Sequence, residues 1–105
     1  MKAVILPQAK ADLQDIRRYI IKKFGNGTWS ETKAKIYKEL KQIEEFPLKG
    51  STPPELVEFS LLGYHQVISG SNRIIYQITE NIIFIHIIVD TRRDLKDVLS
   101  RRLLK

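Results

Sequence analysis

Tyr64-His65-Gln66-Val67-Ile68, Arg73-Ile74-Ile75-Tyr76-Gln77-Ile78 and Ile82-Ile83-Phe84-Ile85-His86-Ile87-Ile88-Val89 are dominated by β-branched and aromatic residues, the side chains that pack best on a pleated surface. They predict three strands. Ser69-Gly70-Ser71-Asn72 and Glu80-Asn81 separate the runs by links of turn length, which join only antiparallel neighbours because a parallel pair needs a long crossover. The last run is apolar on both faces, which predicts a central strand covered on each side.

Upstream of this meander the periodicity changes. Lys2 to Leu6 is a short apolar run stopped by Pro7, which has no N–H to give a ladder, and it predicts a first strand. Ala9, Leu13, Ile16, Ile20 and Phe24 then recur at helical spacing, so one stripe is expected to face a core while Asp12, Asp15, Arg18 and Lys22 face water. Gly25-Asn26-Gly27 ends that helix. Thr28 with Glu31 has the spacing of a capping box, and Ala34, Tyr37, Leu40 and Ile43 predict a second helical stripe closed by Phe46-Pro47. Leu48 to Pro54 reads as a surface loop.

Downstream, Asp94 is placed to cap a short helix whose apolar face is Leu95, Val98, Leu99 and Leu103, with Lys96, Arg101 and Arg102 in water. The expected architecture is α+β with element order β-α-α-β-β-β-α. An antiparallel sheet packs against an N-terminal helical hairpin, and the last helix sits at the sheet's end. At 105 residues, with no repeat and no composition break, the chain is expected to be a single domain spanning 1–105.

Composition narrows the function classes. No apolar run approaches the roughly 20 residues of a membrane span, and the N-terminal apolar stretch is too short for a signal peptide, so a cytoplasmic location without membrane contact is expected. The absence of cysteine rules out disulfides, thiolate nucleophiles and Cys-based zinc sites, and with only His65 and His86 present neither metal nor cofactor is expected. A net charge of +6 predicts an anionic partner: nucleic acid, a nucleoprotein enzyme or an acidic protein. Residues 92–105 concentrate six basic residues against two acidic ones.

In this setting the chain resembles the ParE/RelE superfamily of toxins from bacterial type II toxin–antitoxin systems. The resemblance rests on the opening strand, Ala9-x-x-x-Leu13-x-x-Ile16-x-x-Tyr19-Ile20, Phe46-Pro47, Glu55-Leu56, Tyr64 and Arg73-Ile74-Ile75-Tyr76. The close, Ile87-Ile88-Val89-Asp90-Thr91-Arg92-Arg93-Asp94 with Leu99 and Arg102-Leu103-Leu104, looks like the signature of the ParE branch. That branch implies a growth-inhibiting toxin that binds DNA gyrase and traps its cleaved DNA without chemistry of its own. The RelE branch implies a ribosome-dependent mRNA endoribonuclease. Both imply a cognate acidic antitoxin that folds around the toxin, and hence a hetero-oligomer.

The candidate residues divide accordingly. Arg92, Arg93, Arg101, Arg102 and Lys105 form the expected target-binding patch, set against the plain reading of a solvated turn and helix face. Tyr19, Trp29 and Arg73 are the candidate antitoxin contacts, set against core packing for Trp29 and, for Arg73, an edge arginine paired with Glu80 or Asp90. Under the RelE-like reading His65 would act as general base, with Arg73 and Arg92 holding phosphate. Val98 stands where many ribonuclease members have tyrosine, and Gln66, Val67 and Ile68 replace their lysines, so no catalytic residue is favoured. A third reading is a non-toxic module that binds antitoxin or nucleic acid. His86 on the central strand reads as a hydrogen-bonded, partly buried histidine.

Overall fold

The computed structural model describes residues 1–58 and 63–103; Leu104 and Lys105, the latter a candidate target contact, lie outside them. The elements are β1 (Lys2–Ile5), α1 (Pro7–Phe24), α2 (Asn26–Glu45), a 3-10 turn (Pro47–Lys49), α3 (Pro54–Glu58), β2 (Tyr64–Ser69), β3 (Asn72–Ile78), β4 (Ile82–Asp90) and α4 (Leu95–Leu103). The expected α+β order is observed, with α3 added where a loop was expected to continue.

β2, β3 and β4 form the antiparallel meander that their short links dictate, with Gln66 opposite Ile75 and Ile74 opposite Ile88. The sheet as a whole is mixed. Its order is β1-β4-β3-β2, and β1 pairs in parallel with β4, Lys2 opposite Ile82 and Ile5 opposite Ile85. The expectation of a wholly antiparallel sheet is therefore corrected at one edge. The chain between β1 and β4 is long enough to supply a parallel crossover, which local links could not reveal.

β4 is central and covered on both faces, as a run apolar on both of them demands. Ile83, Ile85 and Ile88 join Ala9, Leu13, Ile36, Leu40 and Ile43 beneath the helical hairpin. Ile87 and Val89 join Leu56, Leu95, Val98 and Leu99 on the other side. The register shift at Ile75/Tyr76, where Ile75 faces Ile87 but Tyr76 faces Ile85, switches the alternation so that Ile88 rather than Ile87 continues the hairpin face. α4 thus lies over the second face together with α3 rather than at the end of the sheet. Asp94 caps it as expected, its carboxylate accepting from the Asp97 N–H at 3.4 Å.

Pro7 opens α1 because a first-turn position needs no N–H. Gly25, at φ 93°, joins the two helices alone and gives its N–H to the Ile20 and Ile21 carbonyls. α2 therefore starts at Asn26, earlier than a Thr28 cap would allow, and the Thr28 hydroxyl donates back to the Phe24 carbonyl instead. Its buried stripe is Ile36, Leu40 and Ile43 with Trp29 half-buried, while Ala34 and Tyr37, expected in the core, are exposed. Phe24, the expected end of the α1 stripe, is 63% exposed because the helix has run past the sheet's cover by then. Among the described residues no helix is long and apolar enough to cross a membrane.

Candidate functional site

β1 ends at Ile5 because Pro7 turns the chain into α1, yet β4 continues to Asp90. Leu6 gives the last ladder bond to the Ile85 carbonyl at 3.1 Å. Beyond it, side chains stand in for a strand. The Asp12 carboxylate accepts from the Ile88 N–H at 3.0 Å, and Arg102 donates to the His86 carbonyl at 2.7 Å. Arg102 also grips Asp12 through both guanidinium nitrogens, at 2.9 and 3.2 Å. Asp12 and Arg102, both expected in water, are thus turned inward, 13% and 16% exposed, to satisfy a strand edge that would otherwise be bare.

Past this stopper the space between α1 and the end of β4 opens into a cleft of about 790 Å³. Its helix wall is Ile16, Tyr19, Ile20 and Phe24, and its strand wall runs from Ile88 to Arg93. Tyr19 and Phe24 pack edge-to-face at 6.5 Å and remain 45% and 63% exposed, so the mouth carries unspent aromatic surface. Cations ring it. The Lys23 ammonium stands 5.4 Å from the Tyr19 ring centre, and the Arg92 guanidinium, then Lys23, hold the Tyr19 phenol below its ordinary pKa. Arg92 is itself fixed by a two-pronged bond to Asp90 at 2.9 and 3.0 Å, which keeps the Asp90 carboxyl below its ordinary range.

The cleft brings together Tyr19, Arg92 and Arg93 from the sequence-derived candidates. It does not gather the others. Arg73 lies on the α3/α4 face, at 3.5 Å from Glu55 and 3.3 Å from the Gln66 side chain, not paired with Glu80 or Asp90. His65 lies on the hairpin face, stacked on Tyr76 at 5.5 Å, its Nδ1 buried without a partner. His65, Arg73 and Arg92 therefore do not converge on one point. Trp29 is half-buried at the start of α2, outside the cleft lining. Arg101 pairs with Asp97 at 3.1 Å, one helical turn away, and Lys96 with Glu58 at 2.8 Å. The C-terminal basic segment is thus largely matched by carboxylates, most of them supplied from outside it: Asp90, Glu58 and Asp12. Sequence reasoning missed Lys23, Phe24 and Asp12, although the i, i+4 relation of Tyr19 and Lys23 on one helix face was available to find the first.

His86 lies beside the stopper, its Nε2 3.0 Å from the Gln77 Oε1 and its ring 5.2 Å from Tyr64. Burial, then the nearby Arg102 charge, push its pKa below the ordinary 6.5. The unfolded chain then binds a proton that the folded chain declines. Stability from this group is complete above about pH 6.5 and falls as pH drops through that value. Urea unfolding of the wild type should show that loss between about pH 7 and 5, and His86→Gln should flatten it; equal slopes would refute the assignment.

The family described as ParE toxin of type II toxin-antitoxin system, parDE, matches residues 3–95, from β1 through the cleft to the first residue of α4. The chain belongs to the ParE toxin family. Its fold is also that of a solved structure described as the chromosomal ParDE TA system from P. aeruginosa. The TM-score is 0.71 at 16% identity, over 86% of this chain and 95% of that one. A search of curated proteins finds no match. The family match takes in the ParE toxin's cleft residues Tyr19, Lys23, Arg92 and Arg93, whereas Arg101 and Arg102 fall beyond it.

Proposed function

We propose that this ParE-family toxin arrests growth by binding DNA gyrase and trapping cleaved DNA, with no chemistry of its own, and that an acidic antitoxin silences it in the α1–β4 cleft. One observation carries the choice of binding over catalysis. His65, Arg73 and Arg92, the groups that mRNA cleavage would use, are spread over two faces of the sheet and a cleft. The antitoxin reading is supported by exposed Tyr19 and Phe24 framed by Lys23, Arg92 and Arg93, the pairing of aromatic anchors with a charged rim that protein partners use. Because the β4 edge up to Ile88 is already satisfied by Asp12 and Arg102, a segment presenting side chains fits better than one adding a strand there.

The test runs plasmid cleavage by purified gyrase beside ribosome-dependent mRNA cleavage, on one toxin preparation. Linearised plasmid with intact message is the expected result; cut message with unaffected gyrase would sink the proposal and return Arg73, Arg92 and His65 to an active site. For the cleft, Tyr19→Ala combined with Arg93→Glu should weaken antitoxin binding at least about tenfold, or about 1.4 kcal/mol. Because apolar contacts remain, salt should weaken wild-type neutralisation only in part. Unchanged affinity in the double variant would place the antitoxin elsewhere.

A further inference from the structure

The cations left unshared by carboxylates lie mainly on the helical hairpin. On α2, Lys33, Lys35, Lys38 and Lys41 are all exposed, and among the described residues none stands within ion-pair distance of a carboxylate. Of the acids on the same helix two are engaged and two are exposed and unpaired, of which Glu45 lies about 120° round from Lys33, leaving three lysines to one free carboxylate on this face. Glu39 holds Lys49 at 2.6 Å and Glu44 accepts the Ala3 N–H at 2.8 Å, while exposed Glu31 and Glu45 make no ion pair. Lys33, Tyr37, Lys41 and Lys38 follow one another around an arc of about 140° at 3.6 residues per turn. Tyr37 is 43% exposed, with the Lys33 ammonium 5.9 Å from its ring centre. Lys33 and Lys41 are separated along the axis by about 12 Å, close to the width of the DNA major groove.

This face differs in kind from the cleft. The cleft combines cations with a concave apolar wall, which suits a folding peptide; the arc on α2 is convex and offers charge with a single aromatic ring. A convex, mainly cationic surface gains little from an apolar peptide but much from a polyanion that releases condensed counterions. We propose that the outer face of α2 binds the phosphate backbone of duplex DNA, without sequence preference, through Lys33, Lys38 and Lys41, with the Tyr37 ring against the sugars. The choice of DNA among polyanions rests on the gyrase reading; the surface itself does not. It would hold the toxin against DNA near the point of cleavage while leaving the cleft free for the antitoxin.

The test is fluorescence anisotropy of the full chain with a duplex of about 30 base pairs between about 50 and 200 mM salt, a range over which phosphate contacts weaken steeply. Lys33→Gln, Lys38→Gln and Lys41→Gln together, all at exposed helical positions that tolerate glutamine, should lower affinity at least about tenfold. They should also reduce the log–log salt slope by about 2.7. No duplex binding by the wild type, or equal binding by the triple variant, would overturn the proposal. So would loss of DNA binding on neutralising Arg92 and Arg93 with the α2 triple unaffected, or a triple variant that loses antitoxin affinity instead. Gyrase is absent from this assay, so a failed plasmid-cleavage result with intact, lysine-dependent DNA binding would remove the gyrase reading and leave the surface standing.

Discussion

Arg102→Ala is expected to cost about 3 kcal/mol of folding stability, the low end for breaking a buried ion pair from one side. Arg102 and Asp12 are 16% and 13% exposed, so solvent does little to screen what is lost. Its removal leaves the Asp12 carboxylate with only the Ile88 N–H, and strips the His86 carbonyl of its donor. For a domain of this size the melting temperature should drop by about 15 °C. Arg102→Lys keeps the charge but not the two-pronged geometry and should fall between. A double-mutant cycle with Asp12→Ala should return a coupling above about 1 kcal/mol, because the second change removes the charge that the first left unpaired. Asp12→Ala should also speed amide exchange at Ile88, and by baring an apolar strand edge it should raise light scattering with concentration. An Arg102→Ala protein within about 0.5 kcal/mol of wild type would mean that Arg102 is an ordinary surface residue, as the sequence suggested.

The second large effect is expected at Gly50. A Cβ there would stand 2.5 Å from the Tyr76 hydroxyl, 2.6 Å from the Gln66 carbonyl oxygen and 3.1 Å from the Tyr76 ring. None of these can retreat. Tyr76 is fully buried, its hydroxyl donating to the Pro47 carbonyl at 2.7 Å and accepting from the Gly50 N–H at 3.1 Å, and the Gln66 carbonyl is held by the Ser51 N–H. Gly50→Ala should therefore cost about 2–3 kcal/mol from overpacking alone, since φ is −77° and any residue adopts it. Gly25→Ala is the comparator. With φ 93° and ψ 174° it occupies a backbone region essentially reserved for glycine, but nothing lies within 4 Å of a new methyl, so only the backbone term applies, about 1–3 kcal/mol. Urea unfolding of each variant measures the two terms separately, and a Gly50→Ala protein within about 0.5 kcal/mol of wild type would contradict the packing argument.

Both predictions concern residues that sequence reading assigned to water or to a loop. Leu48 to Pro54 carries the Gly, Ser, Thr and Pro of a surface turn, yet Gly50 is pressed against the one tyrosine that tethers the turn, and Pro53 is fully buried. Arg102 sits among other charges on a short helix, and nothing local distinguishes it from Arg101, which does face solvent. On α2 half of the expected stripe holds. Leu40 and Ile43 of the expected stripe do face inward, but Ile36 joins them in place of Ala34 and Tyr37, which fall on the exposed side.

What the sequence determined by itself is what short-range physics controls. Runs of β-branched and aromatic residues marked the strands and a 3.6-residue period the two long helices, turn-length links forced β2, β3 and β4 into a meander, and the Ile82–Val89 run, apolar on both faces, required cover on both sides of β4. The order of elements and the family followed. What only the tertiary structure decided depends on residues far apart in the chain: the parallel docking of β1 on β4, the placing of α4 over the second face, and the meeting of Asp12 with Arg102, 90 residues away. The same holds for the site. Tyr19 and Arg92 share a cleft because α1 lies along a strand edge that β1 is too short to cover, and a basic segment loses its free charge when folding supplies carboxylates beside it. Side-chain type sets local conformation within a few residues, but pairing across the chain is chosen by which arrangement buries the apolar faces and leaves no backbone group unsatisfied.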